Sequence, residues 1–246
     1  MSIQVSAQQL PTEAKDVIKS IYTEALGEQQ GYKWLHHICT EIGPRPSGSD
    51  AANQAAKYTK QMMLDAGADT AWLQPVEVPK WHRGAEWSKA YAGGEPLALP
   101  TTALGGSVPT PKEGIRAAVV EVGSFEELEA LGKEGLEGKI VFYNTYMDHS
   151  LISTFNAYGG AVKYRWAGAM EAGKYGAVAT VMRSVTLLRD DLPHTGAMSY
   201  GESEVKIPTS AISWLAADKL EKMLVDGLVE LELFLDCGVQ GTAINY

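Results

Sequence analysis

Ala117-Ala118-Val119-Val120-Glu121-Val122, then Gly123-Ser124-Phe125-Glu126-Glu127, then Lys139-Ile140-Val141-Phe142-Tyr143 form the stretch from which the fold class follows. Two β-rich runs enclose one short helical pattern. Ser124 and Glu127 have capping-box spacing, in which the serine caps the Glu127 amide and the glutamate reaches back. Further β-rich segments follow at Ala177–Met182, Ile207–Ile212 and Glu230–Leu235. Between them, Val162, Trp166, Ala169 and Met170 mark one helix. Leu215, Leu220, Met223 and Leu224 mark another, with Ser213 as its cap and Gly227 as its stop. Strands alternating with single helices from about Ile115 to Asp236 predict an α/β unit, or a small barrel with helices packed on it.

Upstream the pattern is helical. Val17, Ile18, Ile21, Tyr22 and Ala25 recur at three- and four-residue steps behind a Thr12 cap, and Trp34, Leu35, Ile38 and Ile42 repeat the period. Gly43-Pro44-Arg45-Pro46-Ser47-Gly48-Ser49 stops that run, because each proline pushes its predecessor out of the α region. Ser49 or Asp50 caps a third helix, which ends at Gly67, and Trp72 to Val78 reads as a strand ended by Pro79. Tyr91 to Gly114, rich in Gly and Pro, reads as a loop-rich crossing into the α/β unit. At the other end, Ile244-Asn245-Tyr246 starts a new strand and stops, so the chain reads as cut there.

The 246 residues carry a net charge of −9, with 45% apolar and 21% charged side chains. That is the composition of a core-forming chain of one large or two small domains, and it excludes intrinsic disorder. No basic cluster is present to neutralise phosphates, which argues against nucleic acid and against an anionic membrane surface. No apolar run has the ~20 residues of a membrane span. Cys39 and Cys237 belong to no Cys-x-x-Cys pair, and the spacing favours two buried free thiols over one bridge. Val5-Ser6-Ala7 resembles the end of an export signal without its charged start or apolar centre, and is read as a free N-terminus.

The sequence carries no recognisable complete catalytic site. There is no Gly-x-Ser-x-Gly elbow, no glycine cradle for phosphates and no His-Glu-x-x-His. His36-His37 are adjacent on a helix, so their rings point about 100° apart and read as a surface pair, not a metal site. His82 and His149 are placed in loops without a ligating carboxylate pattern. One polar stretch stands out: Arg183-Ser184-Val185-Thr186 leaves a buried-looking strand and is followed by Pro193-His194-Thr195-Gly196. Sheet proteins place binding groups at such strand ends, although an ordinary surface loop has the same composition.

At these residues the chain resembles a family, the zinc exopeptidases related to carboxypeptidase Q. Gly43–Ser49 is similar to a turn near the start of those enzymes, and Pro79-Lys80-Trp81-His82-Arg83-Gly84 to the segment after their first strand. Leu136-Glu137-Gly138-Lys139-Ile140-Val141 resembles a strand of their protease-associated domain. Tyr164-Arg165-x-x-Gly168-Ala169, Lys174-Tyr175-Gly176-Ala177, Arg183–Thr186, Pro193–Gly196 and Ile207-Pro208-Thr209-Ser210-Ala211-Ile212-Ser213 continue the likeness in order.

The resemblance implies an α/β architecture: an incomplete N-terminal part of the exopeptidase domain, with helices and one strand, into which a protease-associated β-barrel or sandwich domain carrying helices is inserted. Residues 10–90 would be the N-terminal part, 95–237 the insert and 238–246 the return segment. The implied activity is hydrolysis of peptide bonds near chain ends by two zinc ions, with the ligands and general base beyond Tyr246. This chain would then bind no zinc and be inactive alone. Its implied partners are a peptide or dipeptide substrate and the remaining C-terminal part of the peptidase domain, with a homodimer left open. A secreted or periplasmic location is implied as well. Arg183, Ser184 and His194 are the candidates for receiving a substrate carboxylate. The competing reading is a non-catalytic protease-associated module that binds peptides or proteins.

Overall fold

The computed structural model describes residues 12–246, so Val5-Ser6-Ala7 lies outside the described residues. The chain divides into two compact units. One comprises the described residues through Val78 together with Thr242–Tyr246, and the other is Pro79–Gly241.

The first unit contains α1 (Thr12–Glu28), α2 (Gln30–His37), a π-helical turn over Ile38–Ile42, and α3 (Asp50–Asp65). Ser49 caps α3 by accepting from the Ala52 N–H at 3.1 Å. None of these four elements contains a buried residue. The apolar stripe of α1 is bare, with Ile21 60% and Leu26 71% exposed. An amphipathic helix gains its stability by burying such a stripe against other elements, and among the described residues none of α1 is buried. The turn after Ile42 is pinned from a distant part of the chain. Asn245 Oδ1 accepts from the Gly48 N–H at 2.6 Å, and its amide nitrogen donates to Asn53 Oδ1 at 2.8 Å.

The second unit is built on one mixed sheet. Its strands are β1 (Val76–Tyr91), β2 (Leu97–Leu99), β3 (Thr101–Ala103), β4 (Ile115–Val122), β5 (Ile140–Tyr143), β6 (Ala179–Arg183), β7 (Thr209–Ile212) and β8 (Glu230–Asn245). They lie in the order β2-β1-β8-β4-β5-β6-β7-β3. Pairs β4/β5, β5/β6 and β6/β7 are parallel, whereas β1/β2, β3/β7 and β4/β8 are antiparallel. The two edge strands, β2 and β3, are consecutive in the chain and separated only by Pro100, so the sheet is nearly closed. Closure leaves little strand edge to pair with other chains.

Helices α4 (Phe125–Leu136), α5 (Thr154–Gly173) and α6 (Trp214–Asp226) connect the strands. Both sheet faces are covered, and strand alternation sorts the core accordingly. Ile140 and Phe142 pack with Val181, Leu220 of α6, Leu231 and Leu233. Val141 and Tyr143 pack on the other side with Leu128 of α4 and Tyr164 of α5. Gly168 permits this second layer, because a Cβ there would lie 2.7 Å from a Tyr143 ring carbon.

Several sequence expectations shift. Ser124 does cap Glu127, at 3.1 Å, but the Glu127 carboxylate reaches the Gly123 N–H at 2.7 Å, one residue outside the expected box. Pro79 does not end a strand; β1 runs through it, at an exposed position. The crossing between Tyr91 and Gly114 holds β2 and β3, each too short to show a period. The segment from Cys237 onward is the continuation of β8, with Gly238 and Gly241 supplying positive φ. Cys237 is buried as expected, whereas Cys39 is exposed, and both are free thiols.

Candidate functional site

The parallel strands β5, β6 and β7 deliver their carboxyl ends to one rim of the sheet, the position at which open α/β sheets bind ligands. Arg183, the last residue of β6, is fully buried there. Its Nε donates to Asn144 Oδ1 at 2.7 Å. Nη1 donates to Asp218 Oδ1 at 2.6 Å and to the Trp214 carbonyl at 3.3 Å. Nη2 donates to the Tyr146 hydroxyl at 2.8 Å and to Glu221 Oε2 at 3.2 Å. The guanidinium also lies over the Tyr146 ring, 3.9 Å from its centroid, and 5.0 Å from that of Trp214. A guanidinium has five N–H groups, and five acceptors take them. Burial, reinforced by the hydrogen bond to Glu221, pushes the Tyr146 phenol up to about 12.

Arg183 is the residue expected to receive a substrate carboxylate, and in this geometry all five of its N–H groups are already taken by acceptors of the chain itself. Ser184 is committed as well. Its buried Oγ donates to the Ile212 carbonyl at 2.7 Å and accepts from the His194 N–H at 2.8 Å. Ser184 therefore positions the loop that carries His194. Of the three expected residues, only His194 keeps its functional group in solvent, with Nε2 3.7 Å from Asp190 Oδ1.

The loop beyond His194 brings together Thr195, Gly196, Arg83 and Arg165, each a member of one of the family-like motif blocks. Thr195 Oγ1 donates to the Ala103 carbonyl at 2.7 Å and accepts from Arg83 Nη2 at 3.5 Å. Arg83 is paired with Glu86 at 2.9 Å. The Gly196 carbonyl accepts from the Gly105 N–H at 2.8 Å. Against Gly196 stands the Arg165 guanidinium: a Cβ on Gly196 would lie 2.5 Å from Arg165 Cζ. Arg165 Nη2 donates to the Tyr158 hydroxyl. Tyr158 in turn lines an open, largely apolar groove of about 390 Å³ shared with Met147, Phe155, Thr186 and Leu188. The four blocks containing Arg83, Arg165, Arg183 and His194 thus converge on one rim, although they are far apart in sequence.

A second groove, of about 450 Å³, contains His82, Tyr200, Lys206 and Asp236. His82 lies on β1 and not in a loop, and its Nε2 is 3.9 Å from Asp236 Oδ2. The expected surface pair behaves otherwise too, since His37 stacks on Tyr58 with centroids 4.2 Å apart. Among the described residues, no three His, Cys, Asp or Glu side chains are grouped to hold a metal ion. No helix among them is long and apolar enough to cross a membrane.

The architecture is a peptidase M28-like α/β fold. A peptidase M28 precursor from Shewanella amazonensis superposes with a TM-score of 0.87 and 31% identity, covering 94% of this chain and 52% of that one. A zinc aminopeptidase from Bacillus subtilis shares the fold at a TM-score of 0.53 and 18% identity, over 87% of this chain and 44% of that one. By sequence, the chain is similar to carboxypeptidase Q. It is 40% identical to the Xenopus laevis protein over 217 residues, which is 87% of this chain and 44% of that protein. It is 36% identical to the Bos taurus protein and 35% to the Homo sapiens protein over the same 87% share. The chain thus spans about half the length of the curated relatives it matches. No family model matches it.

Proposed function

We propose that this chain is the N-terminal portion of a zinc-dependent exopeptidase of the carboxypeptidase Q type, hydrolysing peptide bonds near chain ends. The observation that carries the reading is the 40% identity over 217 residues to a carboxypeptidase Q of which the match spans only 44%. The bare apolar stripe of α1, and the absence of any buried residue in the helices of the first unit, support the same reading. Those faces belong to an α/β domain that further polypeptide completes. Residues 95–237 then form a protease-associated insert that covers the cleft and helps to select substrate, and 238–246 return to the peptidase domain.

Zinc supplies Lewis acidity and an activated water in such enzymes. The described residues of this chain do not fit a zinc site, so no step of hydrolysis is assigned to them. Their contribution is recognition, through the rim that carries His194. The substrate is a peptide or dipeptide, the enzyme is exported, and a homodimer is compatible with the reading.

The test is to read the coding sequence beyond Tyr246, express the longer product and assay dipeptide hydrolysis with and without a chelator. A continuing frame that yields chelator-sensitive hydrolysis supports the proposal. A stop codon directly after Tyr246, or a longer product without such activity, overturns it in favour of a non-catalytic binding module.

A further inference from the structure

The second unit contains five arginines, and four of them are neutralised. Arg83 pairs with Glu86, Arg116 with Glu230, Arg183 with Asp218 and Glu221, and Arg189 with Asp218. Arg165 is the exception: among the described residues it has no acidic partner within ion-pair distance. Its Nη2 is spent on the Tyr158 hydroxyl, and its Nε is sealed from solvent without a hydrogen-bond acceptor. Among the described residues Nη1 has no hydrogen-bond partner either, and unlike Nε it is not one of the buried, unpartnered atoms, so it is open to solvent. A half-buried cation without a counter-ion is costly to maintain. Yet the surroundings hold it in place. Its guanidinium lies 5.3 Å from the Tyr158 ring centroid, and the absence of a side chain at Gly196 is what makes room for it.

We propose that Arg165 is the anchor of a carboxylate-binding site on the second unit, with the apolar groove beside Tyr158 receiving the side chain attached to that carboxylate. The chemistry is complementary. Nη1 offers a charge-assisted hydrogen bond to a carboxylate oxygen, and guanidinium suits a planar anion. Tyr158 belongs to both parts, so a ligand whose charge meets Arg165 extends its apolar portion toward Phe155 and Leu188. His194 and Thr195 immediately precede Gly196, on a turn whose position Ser184 and Ala103 fix by hydrogen bonds. The ligand class is an α-carboxylate with an apolar side chain, carried by a free acid or by a peptide C-terminus. Identifying it with a substrate terminus rests on the peptidase reading, whereas carboxylate binding itself does not.

The test titrates the full 246-residue chain with N-acetylphenylalanine and separately with its amide, following the Arg165 side-chain and Gly196 amide signals by NMR. The expected result is saturable binding of the acid, with the amide about tenfold or more weaker. Arg165→Gln should weaken the acid by a similar factor while leaving thermal unfolding unchanged. Should that variant misfold, Gly196→Ala serves instead, because the added methyl must displace the guanidinium. Equal binding of acid and amide, acid binding that survives both substitutions, or no saturable binding overturns the proposal. A peptide ending in Phe, compared with the free acid, distinguishes the two carriers. If the acid binds this chain but not the longer product, a carboxylate of the added polypeptide occupies Arg165 and the ligand assignment falls. Binding that persists while the longer product hydrolyses nothing overturns the peptidase reading and leaves this site standing.

Discussion

Replacing Arg183 with methionine should destabilise the second unit severely, and the size of the effect follows from its contacts. The substitution keeps an apolar stem of similar length but strips the partners of five N–H donors. Asn144 is buried and loses the donor to its Oδ1. Asp218 and Glu221 are each about one-third exposed, at 30% and 37% of their side-chain area, so water reclaims part of their solvation. Breaking a buried ion pair by removing one member costs about 3–5 kcal/mol when the remaining charge stays dry. Partial exposure of both carboxylates lowers that to about 2–4 kcal/mol. At about 2–4 °C per kcal/mol for a unit of this size, the melting temperature should fall by roughly 5–15 °C. Near-UV circular dichroism of the Tyr146 and Trp214 environment, recorded against temperature and urea, measures it. Arg183→Lys keeps the charge but cannot serve five acceptors, and should fall between the two. An Arg183→Met protein within about 0.5 kcal/mol of the parent would refute the assignment of Arg183 as an interior hub, and would return it to the list of ligand-binding residues.

Other substitutions test separate parts of the structure. Gly168→Ala sets a methyl 2.7 Å from a Tyr143 ring carbon, and should cost about 1–3 kcal/mol by urea denaturation through overpacking. Ser213→Ala removes both the α6 cap on the Ala216 N–H and the donor to Asp191 Oδ1, a loss of about 1 kcal/mol or more by the same measurement. With a thiol reagent at pH 8, Cys39 should react promptly in the folded protein and Cys237 only after unfolding, because burial pushes the Cys237 thiol from 9.0 to about 11. The folded state holds that proton to higher pH than the unfolded chain does. The stability it contributes is therefore complete below about pH 9 and disappears as the pH rises through about 11. Urea midpoints across that range should fall, and Cys237→Ala should flatten the decline.

What the amino-acid order reveals depends on how local the cause is. β5 and β6 are legible because their largely apolar runs are buried along their whole length, and α6 is legible because Ser213 caps it as its position suggests. β2 and β3 are not: three residues cannot display a period, and Pro100 between them reads as a break. The passage of β1 through Pro79 and of β8 through Gly238 and Gly241 is set by pairing with distant strands, which overrides local breakers. Arg183 shows the same limit at the rim. Its motif is visible, but Asn144, Asp218 and Glu221 lie 39, 35 and 38 residues away. Only folding reveals that they use up its donors. Arg165 is visible inside the Tyr164-Arg165-x-x-Gly168-Ala169 block, yet that it has no counter-ion among the described residues can be seen only in three dimensions.

The most direct measurement is dipeptide turnover by the purified 246-residue chain supplied with zinc, compared with and without a chelator. The proposed division of labour, in which this polypeptide recognises substrate and additional polypeptide carries the metal, requires no turnover above background in either condition. Hydrolysis that zinc supports and the chelator abolishes would contradict it.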